Sequence, residues 1–232
     1  VYSSRIIPYR GSWLEFEIDQ KKELIYAKID RKKKILGTIF LRALGYSTRE
    51  EIINCFYVTE DVKIPSDAEK RDELSGRVLG KPVIIKDEET GEEKKLFRAG
   101  DKLHPHDIDD LVANGIKEIN VIKFNMKKRP DDKEEKNPSL DSEMIVNCFE
   151  REEIVFSKEG SSTADEPTKE ECLSKVYAVL MPGEPITVEA AERDLTTMFF
   201  SVRRYDLGRV GRYKLNKKFD YKEPVEDVTL TK

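Results

Sequence analysis

The sequence has little of what catalysis, secretion or membrane insertion requires. Only two histidines and three cysteines occur in 232 residues, and no run of about 18 apolar residues could span a bilayer. The first residues, VYSSRIIPYRGSW, lack the apolar core and cleavage site of a signal peptide. Three cysteines are too few for a disulfide framework, which favours a reducing, cytosolic compartment. Because the chain begins with valine, we expect a piece of a longer protein.

No catalytic set of residues is apparent. The glycines of DLGRVGR lack the spacing and the preceding strand that a phosphate-binding loop needs. His104 and His106 could contribute to a metal site, but an exposed turn before a helix is the favoured interpretation, because a tetrahedral site needs four placed ligands. Cys55, Cys148 and Cys172 lie in apolar helical patterns, so we expect small buried hydrophobic residues rather than nucleophiles. Catalysis by this chain alone is therefore not expected.

Charge is what the chain has in excess, and it is distributed unevenly. Charged residues make up 38% of the chain, against about 25% in a typical globular domain. Residues 1–46 have a net charge of +5, residues 142–200 of −8 and residues 201–218 of +6. If the two basic stretches meet in space, they form the basic face that a polyanionic partner requires. The alternative is two ordinary solvated surfaces.

The periodicity of apolar residues predicts an α+β fold. Alternating patterns predict strands, which cover residues 1–7, 12–18, 24–29, 77–86, 94–98 and 116–124. Helical spacing predicts helices, which cover residues 35–44, 47–56, 106–114, 168–180 and 188–200. Ser47, Thr168 and Thr187 are the predicted N-caps of three of these helices, and Gly45 is the predicted end of the first.

Two similar helical sequences flank the middle of the chain. Residues 50–56, EEIINCF, and 143–149, EMIVNCF, are identical at five of seven positions, although a short match of this kind also arises by chance. The stretch between them, residues 58–141, is predicted to form a small α+β module, with a turn at residues 89–92 and a polar linker at 127–138. We therefore expect an inserted module.

Trp13 and the sequence Arg203-Arg204-Tyr205 have the chemistry best suited to binding. Trp13, the sole tryptophan, lies where a turn becomes a strand. An indole there can stack on an unpaired base, worth about 1–3 kcal/mol; the alternative is a core residue of a small sheet. Arginine binds phosphates in a bidentate manner and also stacks on bases. These residues are candidates for a nucleic-acid contact, although the residues alone favour a core position for Trp13.

Five segments resemble the bacterial RNA polymerase beta subunit, and more narrowly its lobe, beside the downstream end of the main cleft. They occur in the family's order and are RIIPYRGSWLEFEID, IDRKKK, ILGTIFLRALGYSTREEI, MPGEPITVEAAE and RRYDLGRVGRYKLNKKF. The resemblance implies a lobe formed by residues 1–57 and 142–222, a lineage-specific insertion at 58–141 and a tail at 223–232 that leads to the rest of the subunit. Met181 departs from the family, which often has arginine before Pro-Gly-Glu-Pro.

The resemblance implies DNA-binding roles for five residues. Trp13 matches the family's tryptophan in GSW, which stacks on a non-template base near the start site. Arg31, Lys32 and Lys33 match a basic run near single-stranded DNA. Arg204 matches the arginine of RYD, which lies near the non-template strand. The implied function is to guide downstream DNA and the non-template strand during RNA synthesis.

The implied whole enzyme is a cytoplasmic, nucleoid-associated DNA-directed RNA polymerase, a nucleotidyltransferase. No catalytic or metal-binding residue is expected in this fragment, and Mg²⁺ is expected on another subunit. The implied partners are the beta prime, alpha and omega subunits, sigma factor, and promoter and downstream DNA, with no membrane. The alternative function is a protein-interaction platform that docks sigma or transcription factors through the acidic residues 142–200 and the insertion.

Overall fold

A computed structural model describes residues 2–65, 67, 71–86, 93–124, 143–157 and 166–231. The predicted turn at 89–92 and the predicted linker at 127–138 lie outside the described residues. The chain divides into two compact units. Unit 1 contains residues 1–47 and 150–232, and unit 2 contains residues 48–149.

Unit 1 is built on an antiparallel sheet with the strand order β1-β2-β3-β4. Its elements are β1 (Tyr2–Ile6), β2 (Leu14–Asp19), β3 (Leu24–Ile29), β4 (Ile35–Leu36), α1 (Gly37–Leu44), the second half of α4 (Met144–Ser157), α5 (Lys169–Leu180), α6 (Val188–Phe200) and α7 (Gly208–Phe219). Leu14 pairs with Ile29 at one end of the β2–β3 ladder. The ring of Phe40 in α1 lies 6.2 Å from that of Phe16 and 6.4 Å from that of Phe199, so helix and sheet share an aromatic core.

Unit 2 contains two small antiparallel sheets, one pairing β5 with β8 and the other β6 with β7. Its elements are α2 (Arg49–Phe56), β5 (Val58–Lys63), a 3₁₀ turn (Asp72–Leu74), β6 (Val83–Lys86), β7 (Glu93–Phe97), α3 (Pro105–Ala113), β8 (Glu118–Lys123) and the first half of α4. Its core is a cluster of apolar side chains that includes Leu79, Leu111 and Val121. With seven helices and short antiparallel strands over the described ranges, the predicted α+β class is confirmed.

Some predicted elements need correction. Ile35 and Leu36 form β4 rather than the start of a helix, because they pair with Ala27 and Tyr26 of β3. The predicted strand 77–86 is shorter, since Val78 and Leu79 form only isolated bridges. Three elements were not predicted, namely β5, the 3₁₀ turn and α7.

The helix caps follow the sequence closely. Gly45 ends α1 with a positive φ of 117°, a conformation that glycine adopts without a Cβ clash. Thr168 and Thr187 cap α5 and α6 as predicted. The predicted cap at Ser47 is wrong by one residue, because the Ser47 hydroxyl donates to the carbonyl of Gly45 and Thr48 caps α2 instead.

Burial of the cysteines agrees with the prediction in two cases. Cys148 and Cys172 are buried, and desolvation raises the pKa of the Cys172 thiol above its usual value. Cys55 is exposed, so its predicted burial is wrong. It lies on the solvent side of α2, whose buried residues are Arg49, Ile52 and Ile53.

Two fully buried arginines connect distant parts of unit 1. The Nε of Arg42 donates to the Glu152 carboxylate at 3.1 Å, and its Nη1 donates to the carbonyl of Ser47 at 2.6 Å. The Nε of Arg212 donates to the carbonyl of Asp227 at 2.5 Å, and its Nη2 donates to that of Thr229. The last residues thereby dock on the helices. None of the helices within the described ranges is long and apolar enough to cross a membrane.

Candidate nucleic-acid interface

Trp13 and Arg31 meet at one edge of the unit 1 sheet. Trp13 directly precedes β2, and Asp30 and Arg31 directly follow β3. The antiparallel pairing of β2 with β3 therefore brings Trp13 next to Asp30 and Arg31. The Trp13 amide donates to the Asp30 carboxylate at 2.7 Å, and the Asp30 amide donates to the Trp13 carbonyl at 3.0 Å. Asp30 and Arg31 both have positive φ, 48° and 59°. This turn places the Arg31 guanidinium carbon 4.8 Å from the centre of the indole.

The indole of Trp13 is half-buried, a position between the two predicted alternatives. It is not fully enclosed in the core, as a core tryptophan would be, and part of its surface reaches solvent beside a cation. A cation over an aromatic ring at an exposed site contributes about 0.5–1 kcal/mol. The Trp13–Arg31 pair therefore presents a ring and a positive charge at one place.

Arg204 is brought to the same region by the turn between β1 and β2. Arg10 and Asp206 exchange backbone hydrogen bonds of 3.1 and 2.8 Å. A Cβ on Gly11, which has a φ of 123°, would lie 2.8 Å from the Arg204 carbonyl oxygen. The 201–206 turn is thus packed directly against the segment that leads into Trp13. The exposed Arg204 side chain forms no ion pair with the described residues.

Lys32 and Lys33 differ in their surroundings. The Lys32 ammonium donates to the carbonyl of Leu180, the last residue of α5, where the helix dipole favours a positive charge. Lys33 is exposed. The structure therefore brings Trp13, Arg31 and Arg204 to one region, whereas Lys32 is engaged in a contact within the fold.

Sequence reasoning did not single out Tyr9 or Arg10 in this region. The guanidinium of Arg10 donates to the carbonyl of Val202 at 3.0 Å, and the Tyr9 side chain is 88% exposed. The sequence near Arg10 does not predict this hydrogen bond, because its acceptor lies far away in the sequence. Gly11 in the sequence YRGSW was the one local sign that another backbone segment packs closely against this turn.

Metal chemistry finds little support in the described ranges. No group of three or more His, Cys, Asp or Glu side chains that could hold a metal ion occurs there. His104 and His106 are both exposed at the start of α3, with their rings stacked 5.7 Å apart. The His104 amide donates to the Asp107 carboxylate at 2.7 Å, as a helix N-terminus requires.

Comparison with known proteins gives a consistent result. The sequence model of the family "RNA polymerase Rpb2, domain 2" matches residues 1–89 and 145–232. The DNA-directed RNA polymerase subunit beta of Treponema denticola is 58% identical over 99% of this chain and 19% of that protein. The subunit of Treponema pallidum is 54% identical over 100% of this chain and 18% of its own length, and that of Borreliella burgdorferi 51% over 95% and 18%. The chain spans about a fifth of the length of these curated relatives.

Proposed function

This chain belongs to the RNA polymerase Rpb2, domain 2 family, and on that basis we propose that it is the DNA-guiding lobe of a bacterial RNA polymerase beta subunit. In the whole nucleotidyltransferase it would guide downstream DNA and hold the non-template strand of the transcription bubble. Its partners would be the beta prime, alpha and omega subunits, sigma factor and promoter DNA. Its residues position DNA, while Mg²⁺ and the reacting groups would belong to other parts of the enzyme.

The observation that carries this proposal is the Trp13–Arg31 pair and its connection, through Gly11, to Arg204. Stacking of a base on an aromatic ring contributes about 1–3 kcal/mol, more than the roughly 0.5–1 kcal/mol of an exposed cation–π contact. An unpaired base can therefore displace the Arg31 guanidinium from the indole. The displaced guanidinium is then available for the neighbouring phosphate, so base and phosphate are bound together.

The basic residues are expected to act unequally. Arg31, Lys33 and Arg204 are exposed cations, and each phosphate contact contributes about −0.7 to the salt slope on single strands. Lys32 already donates to the Leu180 carbonyl, so that its share in DNA binding would be smaller. Replacing Lys33 with alanine should thus reduce the salt dependence of promoter binding more than the same change at Lys32.

The test is the lifetime of open promoter complexes in reconstituted polymerase carrying Trp13→Ala, measured at two salt concentrations. Loss of one stacked base should shorten the lifetime about 5- to 150-fold, with an unchanged salt slope. Trp13→Phe is the control, because it keeps an aromatic face. An unchanged lifetime in a folded Trp13→Ala enzyme would contradict the proposal.

A protein-interaction role is the second candidate. Exposed carboxylates lie on and between α5 and α6, at Glu170, Glu184, Glu189 and Glu192, and such a surface attracts basic partners and repels DNA. Under this alternative, deleting residues 58–141 or neutralising Glu184 and Glu189 should impair the response to sigma or transcription factors. Core transcription should persist. Loss of promoter melting on deletion of 58–141 would contradict a peripheral position for that module.

A further inference from the structure

We propose that Tyr9 and Arg203 form a second contact site for the unpaired strand, next to Trp13. In this site the Tyr9 ring stacks on a base and the Arg203 guanidinium binds a phosphate. The ligand class is single-stranded nucleic acid. The inference rests on the proposed function. It adds Tyr9, and it gives a specific contact to Arg203, which the sequence marked only as part of a basic, binding-competent stretch.

Tyr9 is the most exposed of the large hydrophobic side chains that the structure describes. Its exposed fraction is 88%, and that of Val202, on the adjoining turn, is 64%. A single exposed apolar side chain is normal on a protein surface. Tyr9 lies beside a basic turn, and an exposed ring next to cations is the combination that single-strand binding surfaces use, in which rings stack on bases and cations follow the backbone.

The backbone that carries Tyr9 is held on both sides. Pro8 is buried before it, and Arg10 after it exchanges two backbone hydrogen bonds with Asp206. A Cβ on Gly208, at the start of α7, would lie 3.9 Å from the Cβ of Tyr9. The ring therefore projects from a fixed support, and binding loses little backbone entropy there.

The charges around Tyr9 are available for a polyanion. Arg203 and Arg204 are exposed and form no ion pair within the described part of the chain. The nearby carboxylate of Asp206 accepts a hydrogen bond of 2.7 Å from the Gly208 amide. The acidic group of the turn is thus engaged by backbone, while both guanidinium groups face solvent.

The separation of Tyr9 from Trp13 suits a short stretch of one strand. Each residue lies two positions from Gly11, so their Cα atoms are at most about 14 Å apart. Both sit on the turn that packs against residues 204 and 205. Neighbouring nucleotides of one strand can therefore reach the two rings.

The experiment uses reconstituted polymerase holoenzyme on promoters whose non-template strand carries 2-aminopurine at successive positions near the start site. Stacking quenches its fluorescence. Trp13→Ala should restore fluorescence at one position, and Tyr9→Ala should restore it at a different, nearby position. Tyr9→Phe should keep the quenching. Arg203→Ala should lower the magnitude of the salt slope by about 0.7. Tyr213→Ala, at a tyrosine 58% exposed on α7, is the matched control.

The outcomes separate the two proposals. If only Trp13→Ala changes a signal, or if both variants change the same position, the second site is wrong and the proposed function stands. If neither variant changes any position, both proposals are wrong. Photo-crosslinking of 5-iodouracil in the non-template strand to the unmodified enzyme adds a measurement that needs no variant. A crosslink at Tyr9 supports the site, and crosslinks at Trp13 alone contradict it.

Discussion

In unit 1 the guanidinium groups of Arg42 and Arg212 are fully buried, whereas unit 2 surrounds Leu79, Leu111 and Val121 with other apolar side chains. The arginines of unit 1 donate to carbonyls of irregular segments, at Ser47, Asp227 and Thr229. Irregular backbone cannot satisfy its own carbonyls, and buried carbonyls without donors are costly. Unit 1 thus adds buried arginines that bind carbonyls of irregular segments to its aromatic core, whereas the cluster around Leu79 in unit 2 is apolar throughout.

The largest expected effect comes from removing a buried charge in unit 1. Arg42→Ala leaves the fully buried Glu152 carboxylate without its guanidinium, which should cost about 3–5 kcal/mol. Hydrogen exchange of the β2 and β3 amides measures the loss. The double variant Arg42→Met, Glu152→Leu should be milder, because the fully buried Glu152 charge is removed together with its partner. The Glu166 carboxylate, which Arg42 also binds at 3.2 Å, loses that contact in both variants, so the difference between them reports the Glu152 charge alone. Equal losses in the single and double variants would contradict this account of unit 1.

The corresponding change in unit 2 removes apolar volume. Leu111 is completely buried in the apolar cluster, so Leu111→Ala should cost about 2–5 kcal/mol through lost burial and the cavity left behind. Protection of the β8 amides reports this effect. Leu111→Met, which keeps the volume, should cost less than about 1.5 kcal/mol. A loss for Leu111→Met as large as that for Leu111→Ala would contradict the assignment of the cost to lost volume.

Substitutions at two glycines with positive φ distinguish the cost of backbone strain from the cost of a steric clash. Gly76 of unit 2 has a φ of 82° and open space around its Cβ direction, whereas a Cβ on Gly11 of unit 1 would meet the Arg204 carbonyl oxygen at 2.8 Å. Gly76→Ala should cost about 1–2 kcal/mol from the backbone conformation alone. Gly11→Ala should lower the free energy of unfolding by more than this, as urea unfolding would measure. It should also weaken open promoter complexes. Equal costs would mean that the 201–206 turn yields without resistance.

The smallest effects concern acid sensitivity. Hydrogen bonds from Lys28 and Lys34 hold the pKa of Glu17 below its usual value, and those from Lys123 and Arg77 do the same for the pKa of Glu60. A glutamate whose pKa is lowered by folding stabilises the folded state at pH values above the ordinary glutamate pKa. This stabilisation is lost as the pH falls through the lowered pKa.

Glu17 of unit 1 and Glu60 of unit 2 allow the acid sensitivity of the two units to be compared. The Glu17 side chain is 10% exposed and that of Glu60 35%, so solvent screens the Glu60 pairs more strongly. Glu17→Gln should therefore remove more of the acid dependence of unfolding than Glu60→Gln. Urea midpoints between pH 7 and pH 3 test the order, and a larger effect at Glu60 would reverse the comparison.

Much of the fold was predictable where neighbours along the chain decide the structure. Thr168 and Thr187 cap their helices, Gly45 ends α1, and strand β3 has its predicted bounds. β5 was missed because its sequence, VTEDVK, is mostly polar and half exposed. α7 was missed because its basic residues hide the helical spacing, and its buried residue is an arginine.

The candidate site was only partly predictable. Trp13, Arg31 and Arg204 were predicted from residue type and from resemblance, and their DNA contacts stay predictions. The structure adds that Arg31 lies over the indole and that Lys32 donates to a helix end. It also adds Tyr9, an exposed ring on a fixed turn.

Local sequence predicted most helices and strands and the helix ends at Gly45, Thr168 and Thr187, because these depend on residues within a few positions of one another. The burial of charges and the meeting of distant turns are visible only in the folded chain. Arg42 and Arg212 resemble ordinary surface arginines in sequence, and Arg10 pairs with Asp206 from the opposite end of the chain. A buried charge or an irregular turn is stable only when distant groups satisfy its hydrogen bonds. Those partners cannot be identified from the neighbouring residues in the sequence.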